Sequence, residues 1–173
     1  AAGREERATV LELGREVQLV APGAFEPRVM PLVELWGFDT DMPRLPAAED
    51  LEAAVAELTA LEVPLDAAGY EIQPERLHFG AWAKGYAVDR AVAVLRRRGQ
   101  PAALVNAGGE VRGYGRDWTV GVQHPRIPGA LVARIEPGDL AVATSGDYEK
   151  FFEHEGERYH HLLDPRTGYP ATE

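Results

Sequence analysis

The stretch "HHLLDPRTGYP", residues 160–170, packs two histidines, a carboxylate, a guanidinium and a hydroxyl around a Pro/Gly turn. Asp164, Arg166 and Thr167 sit in "DPRTG", whose proline and glycine predict a tight turn. His160 and His161 alternate on the strand before it, so one of them faces inward. A histidine beside a carboxylate and an arginine is equipped as an acid, a base or a phosphate donor, although a lone histidine also serves as a satisfied structural residue.

Three further stretches carry chemistry-bearing types. "NAGGE" places Asn106, Gly108 and Gly109 after an expected strand, where paired glycines either let a backbone approach a phosphate or flat ring, or simply turn a sheet corner. "AWAKGYAVD" sets Lys84 near the start of an expected helix, where free backbone N–H groups and a cation favour an anion. Lys84 fits a solvated outer face equally well, and Asp89, on the following turn, reads either as a surface or as a packing-adjacent carboxylate. "ATSGDYEKF" brings Thr144, Ser145 and Asp147 together, a group that caps a turn and also reaches phosphate oxygens. No G-x-S-x-G elbow, H-E-x-x-H pair, Walker loop or G-x-G-x-x-G fingerprint is present, so a nucleotide site here is of another type.

These residues need elements to hold them. "RATVLELGREVQLV" predicts a short helix with Val10, Leu13 and Val17 on its buried face, weakened by Gly14. "VMPLVELWGF" supplies Trp36 and Phe38 to a core. "AAEDLEAAVAELTALE" is amphipathic through Leu51, Ala54, Val55 and Leu58, with Glu49 and Asp50 in its first turn. A hairpin-like "VPLDAAGYEI" leads to a second amphipathic helix through Val88, Ala91, Val92 and Leu95, closed by three arginines and Gly99. From Ala102 on, short runs ("AALVNAGG", "EVRGYG", "WTVGVQH", "ALVARIEP", "LAVATSG", "RYHHLLDP") predict a largely antiparallel sheet. Helices first and strands afterwards give the α+β class.

The chain has 173 residues, 45% of them hydrophobic, with 18 Gly and 13 Pro, which suits one compact domain rich in turns. Its formal charge of −10 argues against nucleic acid as a partner. With no cysteine there is no disulfide, thiolate metal site or lipid-bearing cysteine in these residues, and no apolar run is long enough to span a bilayer.

Read in order, "GAFEPRVMPLVELWGF", "HFGAWAKGYAVDRAVAVL", "ALVNAGGEVRGYG", "ATSGDYEKFF" and "YHHLLDPRTGYP" resemble the ApbE family of FAD:protein FMN transferases, over Gly23 to Pro170. The resemblance implies a T-fold-like α+β architecture. It also implies a magnesium-dependent reaction that splits FAD, joins FMN through a phosphoester to a threonine of an acceptor protein, and releases AMP. Two alternatives stand beside it: hydrolysis of FAD to FMN and AMP, and a flavin-binding or scaffold homologue without the metal site. By motif position the resemblance implies FAD contacts at Ala24, Phe25, Glu26, His78, Lys84 and Leu163, and a magnesium contact at Ala81 through its backbone carbonyl. It makes His161 of "H-x-x-D-P-x-T-G" the acid, base or transient nucleophile. Asp164 either orients His161 or forms the turn, and Gly108, Gly109 and Thr144 to Asp147 line the nucleotide cleft. The sequence departs from the family's usual pattern at His78 and Glu26, where aspartates are common, and at Arg28, in place of a threonine. The expected organisation is one ApbE-like domain over residues 1–173, without the family's N-terminal serine- and tyrosine-containing region or its C-terminal "A-D-x-x-x-T" segment. The expected location is the bacterial cell envelope, often as a lipoprotein, with the cytoplasm as the alternative.

Overall fold

The computed structural model describes residues 2–60 and 74–172. It falls into two compact units. The first is discontinuous, Ala1–Phe79 with Asp147–Glu173, and the second is the intervening Gly80–Gly146.

The first unit opens with α1 (Ala2–Val20), α2 (Met30–Trp36) and α3 (Ala48–Ala60) and closes with the hairpin of β6 (Phe151–His154) and β7 (Glu157–His160). Helix α2 is short. A proline in its first turn suits a position whose N–H has no partner, and Gly37 ends it in the left-handed region (φ 69°), returning its N–H to the Val33 carbonyl at 2.9 Å. Trp36, Phe38 and Leu32 pack against the Leu51, Ala54 and Leu58 face of α3, the face its periodicity predicts. Trp36, with no exposed surface, lies 5.7 Å from the Phe38 ring, 5.4 Å from Tyr159 and 6.2 Å from Phe152, so the hairpin's aromatic side chains complete this core.

Helix α1 corrects the expectation for its buried face. Leu11 is 2% exposed and packs with Leu77 and Phe79, and Gly14 is buried beside it on the same face. Leu13 and Val17 are 36% and 41% exposed. Three apolar residues at helical spacing define a stripe, but the stripe that is covered depends on where Leu77 arrives. The hairpin-like "VPLDAAGYEI" lies outside the described residues.

The second unit holds α4 (Ala83–Arg97) and β1 (Ala103–Ala107), β2 (Glu110–Tyr114), β3 (Val120–Gln123), β4 (Leu131–Ile135) and β5 (Ala141–Val142). Helix α4 buries Val88 and Val92 and packs on β1 and β2. It ends as expected, with Gly99 at φ 74° donating its N–H to Arg96. Asp89 reaches across to the Arg112 guanidinium on β2 at 2.7 Å, a contact that raises the arginine's pKa and fastens helix to strand. This gives Asp89 a packing-adjacent role.

Among the described residues all strand pairing is antiparallel, and helices with antiparallel strands bear out the α+β class. Among the described residues, however, the pairing is divided into three sheets, β1-β2-β5, β3-β4 and β6-β7, in place of one.

Candidate functional site

The "DPRTG" turn is built from its own side chains. Asp164 accepts the Thr167 and Gly168 N–H groups at its carbonyl (3.2 and 2.8 Å) and donates its own N–H to the Tyr169 carbonyl (2.8 Å). Its carboxylate takes the Arg166 backbone N–H at 2.9 Å and the Arg166 guanidinium at 2.9 and 2.6 Å. That guanidinium contact holds the Asp164 pKa below its usual range. Leu163 pairs with Pro170 to close the loop and packs against the Trp36 core. Gly168 adopts φ 76°, and its carbonyl accepts the Trp36 indole N–H at 2.8 Å. The turn is therefore anchored to the core through one buried hydrogen bond. Of the two roles left open for Asp164, turn formation is the one its contacts express.

His161 stands directly after β7. Its backbone N–H donates to the Lys150 carbonyl at 3.1 Å, and its ring Nδ1 lies 3.2 Å from the same oxygen. A carbonyl only accepts, so Nδ1 carries the proton and Nε2 presents its lone pair. Burial lowers the imidazole's pKa below the ordinary 6.5, and the Lys150 and His160 charges push the same way against the pull of the Lys150 carbonyl. The ring is neutral at pH 7, the form a base requires. His160 uses its Nδ1 to accept the Leu162 N–H at 3.3 Å, which gives the two neighbouring rings opposite tautomers.

Lys150 is itself fixed. Its ammonium contacts Asp39 at 2.5 Å, and the other Asp39 oxygen lies 3.4 Å from His78 Nε2. His78 is further held by its N–H on the Pro27 carbonyl at 2.9 Å. The first unit thus brings His78 and His161, far apart in sequence, to the two ends of one polar chain through Asp39 and Lys150. Neither connecting residue was singled out from sequence. The signal for Lys150 was the "HEGE" turn: once His154 pairs with Glu157, counting back the register sets Phe151 opposite His160 and Lys150 opposite His161. For Asp39, which follows the Trp36–Phe38 core residues, sequence carries no comparable signal.

The remaining expected contacts separate. Ala24 is exposed and Phe25 half-buried in the turn after α1, where both N–H groups reach the Ala21 carbonyl. Glu26 is occupied: one oxygen takes the Arg28 N–H and Nε at 2.9 and 2.7 Å, the other takes Gln18 at 2.8 Å and Arg28 Nη2 at 2.9 Å. A carboxylate offers about four acceptor positions, and these contacts use them all. The departures at Glu26 and Arg28 are therefore one feature, an ion pair that braces the loop between α1 and α2.

In the second unit, Gly108 (φ 66°) and Gly109 (φ 98°) form the two-residue turn between β1 and β2, capped by Asn106 Oδ1 on the Gly109 N–H at 3.1 Å. Lys84 extends over this turn: a Cβ placed on Gly108 would meet its Cδ at 3.7 Å and its Nζ at 3.8 Å. Its ammonium pairs with Glu110 at 2.8 Å. Thr144 is exposed beyond β5. Ala81 ends a single 3-10 turn, Phe79–Ala81, and offers only a backbone carbonyl. Among the described residues no group of three or more His, Cys, Asp or Glu could hold a metal ion. Magnesium takes oxygen ligands, usually one or two carboxylates with waters and substrate phosphates, and Ala81 would give it a single carbonyl oxygen.

A helical core, antiparallel hairpins and a histidine-bearing strand leading into an Asp-Pro-x-Thr-Gly turn define the class, and the ApbE family model matches residues 2–173: the chain belongs to the ApbE family. It is 37% identical over 166 residues to the FAD:protein FMN transferase of Klebsiella pneumoniae (strain 342), covering 93% of this chain and 52% of that protein. It is 38% identical over 175 residues to the FAD:protein FMN transferase of Rhodobacter capsulatus, covering 94% and 33%. The crystal structure of the ApbE protein from Thermotoga maritima MSB8 superposes with a TM-score of 0.81 at 34% identity, covering 96% of this chain and 57% of that one. The apo flavinyl transferase ApbE of Pseudomonas stutzeri gives 0.71 at 32%, covering 94% and 53%. The chain spans about half the length of most of the curated relatives it matches.

Proposed function

We propose that this chain carries the flavin-transfer function named for its relatives, FAD:protein FMN transfer. The observation that bears most weight is His161, neutral, with Nδ1 committed to the Lys150 carbonyl and the Nε2 lone pair left to act as a base. In this reading an acceptor hydroxyl, a threonine by the family resemblance, attacks the FMN-side phosphorus of FAD. The new P–O bond forms as the P–O bond to the AMP phosphate breaks, AMP departs with the electron pair, and the hydroxyl proton passes to His161 Nε2. Lys84 supplies a cation for an FAD phosphate. Magnesium, to which Ala81 offers a backbone carbonyl, is decided by the assay, since among the described residues no group of three or more His, Cys, Asp or Glu could hold a metal ion.

The test follows AMP release from FAD by the full-length protein, with and without magnesium and with and without a threonine-bearing acceptor protein. Acceptor-dependent AMP release that leaves flavin covalently on the acceptor supports transfer. AMP release independent of acceptor replaces it with FAD hydrolysis. FAD binding without AMP under every condition replaces it with a flavin-binding homologue.

A further inference from the structure

The β6-β7 ladder runs Phe151 to His160 and His154 to Glu157, so its next rung sets Lys150 against His161. One Lys150 carbonyl receives both the backbone N–H of His161 at 3.1 Å and the ring Nδ1 at 3.2 Å. A carbonyl at the open end of a two-stranded hairpin is ordinarily a fraying position, because such a hairpin is marginal in water and its terminal rung has no neighbour beyond it. Here the residue carrying that carbonyl is tied down by its side chain: the Lys150 ammonium contacts Asp39 at 2.5 Å, on the segment that follows the buried Trp36 and Phe38. Asp39 is held on its other oxygen by His78 at 3.4 Å.

We propose that Asp39 and Lys150 are positioning residues that clamp the open end of the β6-β7 hairpin and so hold His161 in the Nδ1–H tautomer. The inference rests on the reading of His161 as the base. A neutral histidine in water favours the opposite tautomer, with the proton on Nε2, which would present a donor to an acceptor hydroxyl where a lone pair is required. The carbonyl reverses that preference only while it stays in place, and among the described residues it is the ion pair with Asp39 that tethers the Lys150 side chain. Both partners are partly exposed, 40% for Asp39 and 53% for Lys150, so substitution there leaves the Trp36 core intact.

The test needs no flavin. Long-range ¹H–¹⁵N spectra of the full-length protein, recorded above the imidazole titration range, report the tautomer of each ring, and H161Q identifies the His161 signals. The wild type should show His161 with its proton on Nδ1. In D39N and in K150M the ratio of Nδ1–H to Nε2–H forms should fall roughly two- to fivefold, the scale of one partly exposed ion pair. D39E should restore it, and the double variant should lose no more than either single one. Far-UV circular dichroism checks that each variant is folded. If FAD turns over, kcat should fall several-fold in D39N and K150M with KM for FAD within about twofold. An unchanged tautomer ratio in both folded variants overturns the clamp, as do losses that add in the double variant. A shifted ratio with no FAD turnover in the wild type leaves the clamp standing and overturns the transferase reading.

Discussion

Replacing Gly168 by alanine puts a methyl group where the "DPRTG" turn touches the helical core. Gly168 holds φ 76°, and the added carbon would lie 3.2 Å from Val55 Cγ2, 3.3 Å from Leu32 Cδ2 and 3.4 Å from Leu51 Cδ2. An L side chain in the left-handed region costs about 1–2 kcal/mol. Overpacking adds about 1–3 kcal/mol, and Leu32 and Leu51, 0% and 1% exposed, have nowhere to move. Some of the strain is relieved by shifting the turn, which lengthens the Trp36 to Gly168 hydrogen bond, so a total loss of about 2–4 kcal/mol follows. For a chain of this size that corresponds to a melting temperature lower by roughly 5–15 °C. Gly23 is the internal comparison: it has the same φ of 76° but only Arg166 Cδ at 3.7 Å, an ordinary contact. G23A should therefore lose only the backbone cost of about 1–2 kcal/mol. Urea unfolding of wild type, G168A and G23A, followed by far-UV circular dichroism, measures both. Equal losses in the two variants would refute the claim that the turn is seated against Leu32, Leu51 and Val55.

The His161 imidazole should titrate below 6.5 in the folded protein, as read by its NMR shifts. Because the unfolded chain binds that proton first, its contribution destabilises the fold as pH falls from 6.5 through the lowered value, and a midpoint above 6.5 contradicts the burial that sets it. Asp164 runs the same way at lower pH: its lowered pKa contributes stability above the ordinary 3.8 that is lost as pH falls through the folded value. The gap in unfolding midpoint between wild type and D164N should accordingly be largest near neutrality and close in acid; a gap independent of pH refutes the Arg166 pairing as its source. If Lys84 meets an FAD phosphate, K84M should weaken FAD binding roughly 10- to 100-fold, the worth of one charge-assisted hydrogen bond, measured by flavin fluorescence titration.

What sequence made legible was local. The period of Leu51, Ala54 and Leu58 identified the core face of α3, and Val88 with Val92 did the same for α4, because an amphipathic helix writes its buried face into its own spacing. The aromatic pair Trp36 and Phe38 announced the core by size. The "DPRTG" turn was read correctly from Pro and Gly, but its seat on Trp36 was not, since nothing in residues 164–168 encodes a partner so distant in the chain. Helix α1 shows the same limit: Leu13 and Val17 are as apolar as Leu11, and only the arrival of Leu77 decides between them. Strand β6 went unread because "FFEH" mixes charge with aromatics, and its turn places Glu155, a non-glycine, at φ 52°. With β6 went Lys150, and with Lys150 the link between His78 and His161.

The interruption of the first unit by residues 80–146 also sets an order of events. On the ribosome, α2 and α3 emerge long before the hairpin and turn that finish their core, and the Trp36 indole waits for a carbonyl 132 residues downstream. The second unit is one continuous stretch, so it can close during that wait, whereas the first must pay the entropy of its longest loop before its aromatic cluster is complete. Strand β7 and the His161 that follows it thus emerge only after the whole second unit, and a chain halted before Asp147 would display Trp36 and Phe38 with Phe152 and Tyr159 absent, an apolar surface that chaperones and proteases act upon.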